Sequence, residues 1–309
     1  MSSKTPVVIT TKQAKRQINH FGRSLLIYIL LFMGVRYGSH ALFSRFPKLM
    51  FGFDEEMAVM LLRGACLLFV TLIPFTISAA FLRLDIRDYL RNPRLRMDRV
   101  IALICIGIGV NLTVTSLSTL FYFFFHTNTT VYPFLGDFTT QESLIKNIVY
   151  LVLFALIKPI CDEYIFRGII QRQLGHYGRY FGVLGSAMLY AIAQQTLMEA
   201  VPAFIVGWYL SLITLRYHSI RPAVWVHICL ELFLFGLAVI PGNYLWIITI
   251  FIVLIYIFAG LFLFQKRVDT NMIRYGATEW KLWRILITSF SILLCIVLFV
   301  INVVLTLQI

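Results

Sequence analysis

Long runs of apolar residues constrain this chain more than any other feature of its sequence. A helix needs about 20 residues to cross the hydrocarbon core of a bilayer. About nine stretches approach or exceed that length, at positions 24–43, 57–82, 100–125, 143–166, 181–195, 201–215, 222–240, 244–264 and 285–307. The sequence therefore predicts an all-α fold, a polytopic membrane helix bundle of about nine transmembrane helices.

The composition excludes the main classes of soluble protein. Hydrophobic residues make up 60% of the chain and charged residues only 13%, whereas a soluble domain has about 25% charged residues. A cytosolic enzyme, a disordered regulator and a secreted disulfide scaffold are thus excluded. The cysteines lie in or against apolar stretches, as small core residues do; they are Cys66, Cys105, Cys161, Cys229 and Cys295.

The distribution of basic residues predicts the orientation of the bundle. The chain has 27 Lys and Arg against 14 Asp and Glu, a net charge of +13. We place the N-terminus in the cytoplasm and the C-terminus on the outer side. Nearly all the basic residues that are not within spans then fall in cytoplasmic segments, and only Arg45 and Lys48 fall in outer segments. The positive-inside rule accounts for this asymmetry, so no nucleic acid is expected as a partner.

Four segments follow from the spans. Positions 1–23 form a cytoplasmic N-terminal segment, 24–142 contain the first three transmembrane helices, 143–240 form a core, and 241–309 contain the last two helices. The first span lacks a cleavage pattern and is expected to be retained. Paired broken spans of the kind that mark an inverted-repeat transporter are not apparent.

Ionisable residues at membrane depth are costly and are candidates for a functional site. Six of the seven fall in two short stretches near the cytoplasmic ends of the fourth and seventh spans. The seven are Arg63, Lys158, Asp162, Glu163, Arg167, His227 and Glu231. A single such residue more often anchors a helix end by reaching to water, which is the interpretation preferred for Arg63 and for Lys146.

Helical spacing pairs several of these groups. Glu163 and Arg167 are four residues apart on one face and are predicted to form a structural ion pair. Asp162 lies about 100° around the helix from Glu163, which leaves it either free to face a cavity or neutralised by Lys158. His227 and the glutamate four residues later also share a face.

Three short patterns resemble signatures of the CAAX-protease and bacteriocin-processing (CPBP, or Abi) family of intramembrane proteases. The first signature, E-E-x-x-x-R followed by glycine, is matched by 162–168, which reads D-E-Y-I-F-R-G. The second, F-x-x-x-H, is matched by 190–194 (Y-A-I-A-Q). The third, H-x-x-x-N or H-x-x-x-D, is matched by 227–231 (H-I-C-L-E). Gly207 and positions 219–225 also resemble the family pattern.

The resemblance implies a helical membrane fold with a cavity that opens to the cytoplasm. In the family, the first carboxylate and the second-signature histidine activate a water, and the third-signature pair stabilises the oxyanion. Carried over to this chain, the site consists of Asp162, Glu163, Arg167, Gln194, His227 and Glu231. We expect Asp162, Gln194, His227 and Glu231 to converge on that one cavity.

The chain departs from the signatures at three positions. Asp162 replaces the first glutamate, and the shorter side chain can displace a base by about 1 Å. Gln194 replaces the histidine, and an amide does not exchange protons near neutral pH. Glu231 replaces the asparagine or aspartate. With one histidine at the site, a catalytic zinc lacks its usual three protein ligands, so neither a metal nor another cofactor is expected.

Two functions remain open at this point. The first is an intramembrane endopeptidase in which Asp162 is the base, acting on a peptide or a membrane-protein substrate. The second is a catalytically impaired pseudoprotease that serves as a membrane binding or scaffold protein. A transporter or channel ranks third. The expected location is the bacterial plasma membrane, as an integral multi-pass protein surrounded by lipid.

Overall fold

The computed structural model describes residues 11–124 except 92 and 94, residues 141–239 except 195, and residues 254–260 and 279–307. Every regular element within these ranges is helical. The helices are α1 (Thr11–Arg45), α2 (Glu55–Val70), α3 (Thr76–Phe81), α4 (Met97–Phe124), α5 (Gln141–Tyr150), α6 (Lys158–Asp162), α7 (Arg172–Gly175), α8 (Arg179–Ile192), α9 (Leu197–Tyr217), α10 (Arg221–Val239), α11 (Glu279–Ile287) and α12 (Phe290–Leu307). Residues 254–260 are also helical.

Five helical stretches within the described ranges are long and apolar enough to cross a membrane. They are Lys12–Arg45, Glu55–Phe81, Met97–Ser118, Leu144–Gly175 and Leu197–Tyr217. The stretch Leu144–Gly175, called the fourth span below, joins α5, α6 and α7 into one helix. The all-α polytopic membrane bundle is thereby confirmed. The orientation and the total of nine spans stay predictions.

Two predicted spans differ from the structure. Helix α8 has 14 residues and reaches about 21 Å at 1.5 Å per residue, less than the roughly 30 Å of the hydrocarbon core. The predicted span 285–307 is broken, since α11 and α12 meet at a bend of 67°. Of the predicted span 244–264 only residues 254–260 are among the described residues, and these are helical.

Two prolines widen the membrane helices into π-helical turns. Pro74 lies within the turn Thr71–Phe75, and Pro159 follows the turn Leu151–Ile157. A proline has no N–H to donate to the preceding turn, and in lipid any freed carbonyl needs another donor. Two side chains also donate to carbonyls of the Pro74 turn: Ser24 Oγ to the Pro74 carbonyl at 2.9 Å and Thr76 Oγ1 to the Thr71 carbonyl at 3.1 Å.

Two apolar clusters flank the polar stretches identified in the sequence. The first joins α1, the fourth span, α8 and α12 through residues such as Phe21, Phe166, Leu189 and Ile292. The second joins α4, α9 and α10 through residues such as Ile106, Tyr209 and Val226. Helix α8 also packs closely on the end of the fourth span, because a Cβ at Gly182 would lie only 2.8 Å from the Cα of Gly175.

Lys146 was expected to anchor a helix end by reaching to water, and the structure pairs it with two carboxylates instead. Its Nζ atom lies 2.6 Å from Asp54 Oδ2 and 3.3 Å from Glu56 Oε2. These carboxylates stand at the start of α2, so the lysine ties α5 to α2 at one end of the bundle.

Candidate functional site

The fourth span carries the first group of candidate residues. Asp162 ends α6, and Glu163 and Arg167 lie in the π-helical segment Glu163–Gln171 that follows. All three side chains are fully buried, with 0% exposure. Segments of π-helix are frequent at functional sites because they displace side chains from the regular helical register.

Asp162 is neutralised within its own helix. Lys158 Nζ donates to Asp162 Oδ2 at 2.8 Å, and the lysine side chain is 24% exposed against 0% for the aspartate. Of the two arrangements that the sequence left open for Asp162, the structure thus shows pairing with Lys158. Pro159 does not prevent the pair, because its missing N–H affects the turn before α6 and leaves the four-residue spacing intact.

The predicted pair of Glu163 and Arg167 is confirmed. Arg167 Nη1 lies 3.0 Å from Glu163 Oε1, but it is not aligned for a hydrogen bond, so the attraction is coulombic. A second nitrogen, Nη2, donates to the carbonyl of Gly207 at 2.9 Å. The guanidinium also lies over the ring of Tyr190, 4.8 Å from its centroid, a favourable cation–π geometry.

Gly207 allows the arginine to approach α9. A Cβ at this position would lie 3.0 Å from Tyr190 Cδ1 and 3.1 Å from Arg167 Nη2, closer than ordinary contacts. One helical turn further along, Gln171 Nε2 donates to the Ser211 carbonyl at 2.9 Å. The fourth span and α9 are therefore joined by two successive polar contacts, four residues apart on each helix.

His227 connects the fourth span to α10. Its Nδ1 atom lies 2.9 Å from Glu163 Oε1, and its Nε2 atom lies 3.6 Å from Glu231 Oε1. The histidine is 2% exposed and the Glu231 side chain 22%. Because each ring nitrogen faces a carboxylate oxygen, the arrangement suits an imidazolium, which donates from both nitrogens.

Helix α8 contributes Tyr190 to this cluster. Gln194, which follows α8, bonds to the backbone of that helix instead. The Tyr190 hydroxyl is 3.5 Å from Asp162 Oδ2, at the limit of a hydrogen bond. The Tyr190 ring also stands edge-on to His227, with centroids 6.3 Å apart. Gln194 Nε2 donates to the Tyr190 carbonyl at 3.0 Å. The amide therefore binds the end of its own helix.

The predicted convergence of Asp162, Gln194, His227 and Glu231 is observed for part of this group. The fourth span and α10 are neighbours, joined by Glu163 and His227, and Glu231 lies beside that histidine. Asp162 is linked to them through Tyr190. Among the described residues, Gln194 forms no hydrogen bond with Asp162, His227 or Glu231, and its amide donates to the Tyr190 carbonyl instead. The common cavity and its opening to the cytoplasm stay predictions.

Two carboxylate oxygens at this site are buried and, among the described residues, have no hydrogen-bond partner. They are Asp162 Oδ1 and Glu163 Oε2. A buried acceptor left unsatisfied costs about 1–3 kcal/mol, so each oxygen can accept a hydrogen bond from water or from a bound group. Within the described part of the chain no group of three or more His, Cys, Asp or Glu residues could hold a metal ion.

The sequence patterns indicated no role for Tyr190, Gln171 or Ser211. Tyr190 stands where the second signature has phenylalanine, so the added hydroxyl was the available signal. Gln171 lies four residues after Arg167, which places a second polar side chain on the same buried face. Ser211 has the corresponding spacing from Gly207. These spacings were readable in the sequence, but their partners on other helices were not.

Comparison with known proteins supports the signatures. Residues 144–233 match the family described as Type II CAAX prenyl endopeptidase Rce1-like. The matched segment covers less than a third of the chain and contains all three signatures, which supports the suspected family assignment. Neither the curated proteins nor the solved structures gave a match to the chain.

Proposed function

We propose that this membrane CAAX-protease-like protein, whose segment 144–233 matches the Rce1-like family, is a binding or scaffold protein that has lost peptidase activity. The observation that carries the proposal is the pairing of each carboxylate in the cluster with a basic group. Asp162 lies 2.8 Å from Lys158, Glu163 lies 3.0 Å from Arg167, and Glu231 lies 3.6 Å from His227.

Such pairing is unfavourable for hydrolysis. A general base must accept a proton from a water within hydrogen-bond reach, and at Asp162 Oδ2 that water would have to compete with the ammonium of Lys158. The histidine that would share this task in the family is Gln194 here. A glutamine amide does not take up a proton, and this one is hydrogen-bonded to the Tyr190 carbonyl.

The partner in this proposal is a peptide or a segment of another membrane protein. Family members act on such chains, and the elements that form the family's core are retained here. We place the protein in a bacterial plasma membrane as an integral multi-pass protein.

A second function is favoured by one specific observation. Asp162 Oδ1 is buried and has no hydrogen-bond partner among the described residues, so this oxygen could hold a water. In this alternative the protein is an intramembrane endopeptidase with Asp162 as the base, while His227 and Gln194 orient the substrate carbonyl.

One experiment separates the two functions without a known substrate. Three membrane samples are compared for new peptide termini by quantitative mass spectrometry. They contain the wild-type protein, the single variant Asp162→Asn, and the double variant Asp162→Glu with Gln194→His. The scaffold proposal expects the same termini in all three samples and equal complementation of a deletion strain by wild type and Asp162→Asn.

The endopeptidase alternative makes the opposite prediction. Termini would depend on Asp162, and the double variant would produce them faster, by up to the roughly 10²–10⁴-fold that a positioned general base contributes. Termini that disappear in Asp162→Asn while the protein remains inserted would overturn the scaffold proposal.

A further inference from the structure

The connection between α3 and α4, called the arginine loop below, is strongly basic and exposed. Among the described residues of positions 83–99 five arginines are exposed, namely Arg83, Arg87, Arg91, Arg96 and Arg99. Positions 83–99 contain six arginines against three aspartates, which are Asp85, Asp88 and Asp98. Asp98 pairs with Arg96 at 3.2 Å, and Asp85 Oδ1 accepts the backbone N–H of Arg87 at 3.1 Å. The loop therefore keeps a positive charge that its own carboxylates do not neutralise.

The backbone of the arginine loop is bound to the helices that form the candidate site. Arg172, at the end of the fourth span, donates to the Asp85 carbonyl, and its guanidinium lies 4.6 Å from the centroid of the Tyr89 ring. In the turn between α9 and α10, the Ile220 N–H donates to the Tyr89 carbonyl at 3.0 Å, and Ser219 Oγ donates to the Arg91 carbonyl at 2.7 Å. The exposed arginines thus extend from a backbone held at several points.

The position of the arginine loop indicates which kind of ligand it can bind. It joins the membrane-spanning stretches Glu55–Phe81 and Met97–Ser118, so it lies at the bilayer surface. Exposed aliphatic side chains accompany the arginines, with Leu90 at 41%, Met97 at 72% and Ile101 at 55% exposure. Guanidinium groups bind phosphate in a bidentate manner, while aliphatic side chains suit acyl chains.

We propose that the arginine loop binds the headgroups of anionic phospholipids and that the bound lipid stabilises the bundle around the candidate site. The fixed backbone presents the arginines together, so binding requires little ordering of the loop. The connection of this backbone to the fourth span and to the α9–α10 turn transmits the stabilisation. A single-stranded nucleic acid fits less well because the Tyr89 ring, which could stack on a base, is covered by Arg172. The proposal is independent of whether the protein hydrolyses peptides.

The test uses the full chain with two lipids that differ only in headgroup. Binding of dioleoyl phosphatidylglycerol and dioleoyl phosphatidylcholine to the purified protein is compared by native mass spectrometry, and thermal midpoints are measured in nanodiscs of each lipid. The variant is Arg83→Gln with Arg87→Gln and Arg91→Gln, whose side chains make none of the bonds that hold the loop. The matched control is Arg45→Gln with Lys48→Gln, two exposed basic residues, the first at the end of α1 and the second in the connection to α2.

Each arginine near an anionic surface contributes about fivefold to lipid association. The triple variant is therefore expected to lose roughly 100-fold in preference for phosphatidylglycerol, while the control retains the wild-type preference. The wild-type midpoint should be higher in phosphatidylglycerol, and the triple variant should show no such difference. An unchanged midpoint in phosphatidylcholine would show that the triple variant is folded.

Two results would overturn the proposal. One is a triple variant that keeps its preference for phosphatidylglycerol. The other is inorganic phosphate that stabilises the protein in phosphatidylcholine as much as the anionic lipid does, since this would assign the loop to free phosphate. Replacement of the same three arginines by lysine retains the charge and should preserve most of the preference.

Discussion

Glu163 Oε1 lies 2.9 Å from His227 Nδ1, although 64 residues separate the two in the chain. The same oxygen lies 3.0 Å from Arg167 Nη1. One buried carboxylate oxygen therefore interacts with a basic group on its own span and with another on α10. Removal of Arg167 or His227 would leave the negative charge of Glu163 with a single basic partner, in an interior that solvates charge poorly.

Arg167→Ala is expected to reduce the free energy of unfolding by about 3–5 kcal/mol, because it leaves the buried Glu163 carboxylate without one of its two basic partners. Thermal and denaturant unfolding in detergent measure the loss. Lys146→Ala is the control, since its partners are partly exposed carboxylates and such pairs contribute about 0–1 kcal/mol. Equal midpoints for wild type and Arg167→Ala would show that the buried pair is unimportant.

Asp162 and Lys158 are expected to be energetically coupled. Asp162→Asn leaves the ammonium without its carboxylate, and Lys158→Met leaves a buried carboxylate without its cation, so the double variant should cost less than the sum of the single changes. A double-mutant cycle should give a coupling free energy of about 0.5–3 kcal/mol. Additive losses of stability would contradict the ion pair seen at 2.8 Å.

Gly207→Ala should destabilise the bundle by about 1–3 kcal/mol, the usual cost of overpacking. Its new methyl group would press on the Tyr190 ring and the Arg167 guanidinium, both near 3 Å. Gly236→Ala in α10 is the matched control, because a Cβ there meets nothing within 4 Å, and it should leave stability equal or slightly higher. The prediction fails if the two alanine variants unfold at the same midpoint.

Gln171→Met should cost less than Arg167→Ala, although both remove a contact between the fourth span and α9. The Gln171 amide is neutral, and loss of one such hydrogen bond costs about 0.5–1.5 kcal/mol. Unfolding midpoints of the two variants, measured side by side, give the ranking. A larger loss for Gln171→Met would mean that the charge on Arg167 contributes little to stability.

Contacts within one helix could be predicted from the sequence. Glu163 with Arg167, Lys158 with Asp162, and His227 with Glu231 are each four residues apart, and this spacing alone brings side chains together on a helix. The membrane helices followed in the same way from apolar length, since a chain in lipid must bond its own backbone. Lys158 was one of two alternatives for Asp162, because only the structure shows that Pro159 leaves the pair intact.

The resemblance predicted that the fourth and seventh spans meet, but the pairs of residues that touch between helices were decided by the tertiary structure. Nothing in the spacing of 163 and 227 indicates that they meet, and the orientation of Gln194 toward the Tyr190 carbonyl depends on where α8 ends. The short α8 and the bend between α11 and α12 also departed from the apolar pattern. The physical reason is that 3.6 residues per turn determine neighbours along one helix, whereas depth and rotation between helices depend on packing, such as the close approach that Gly207 permits.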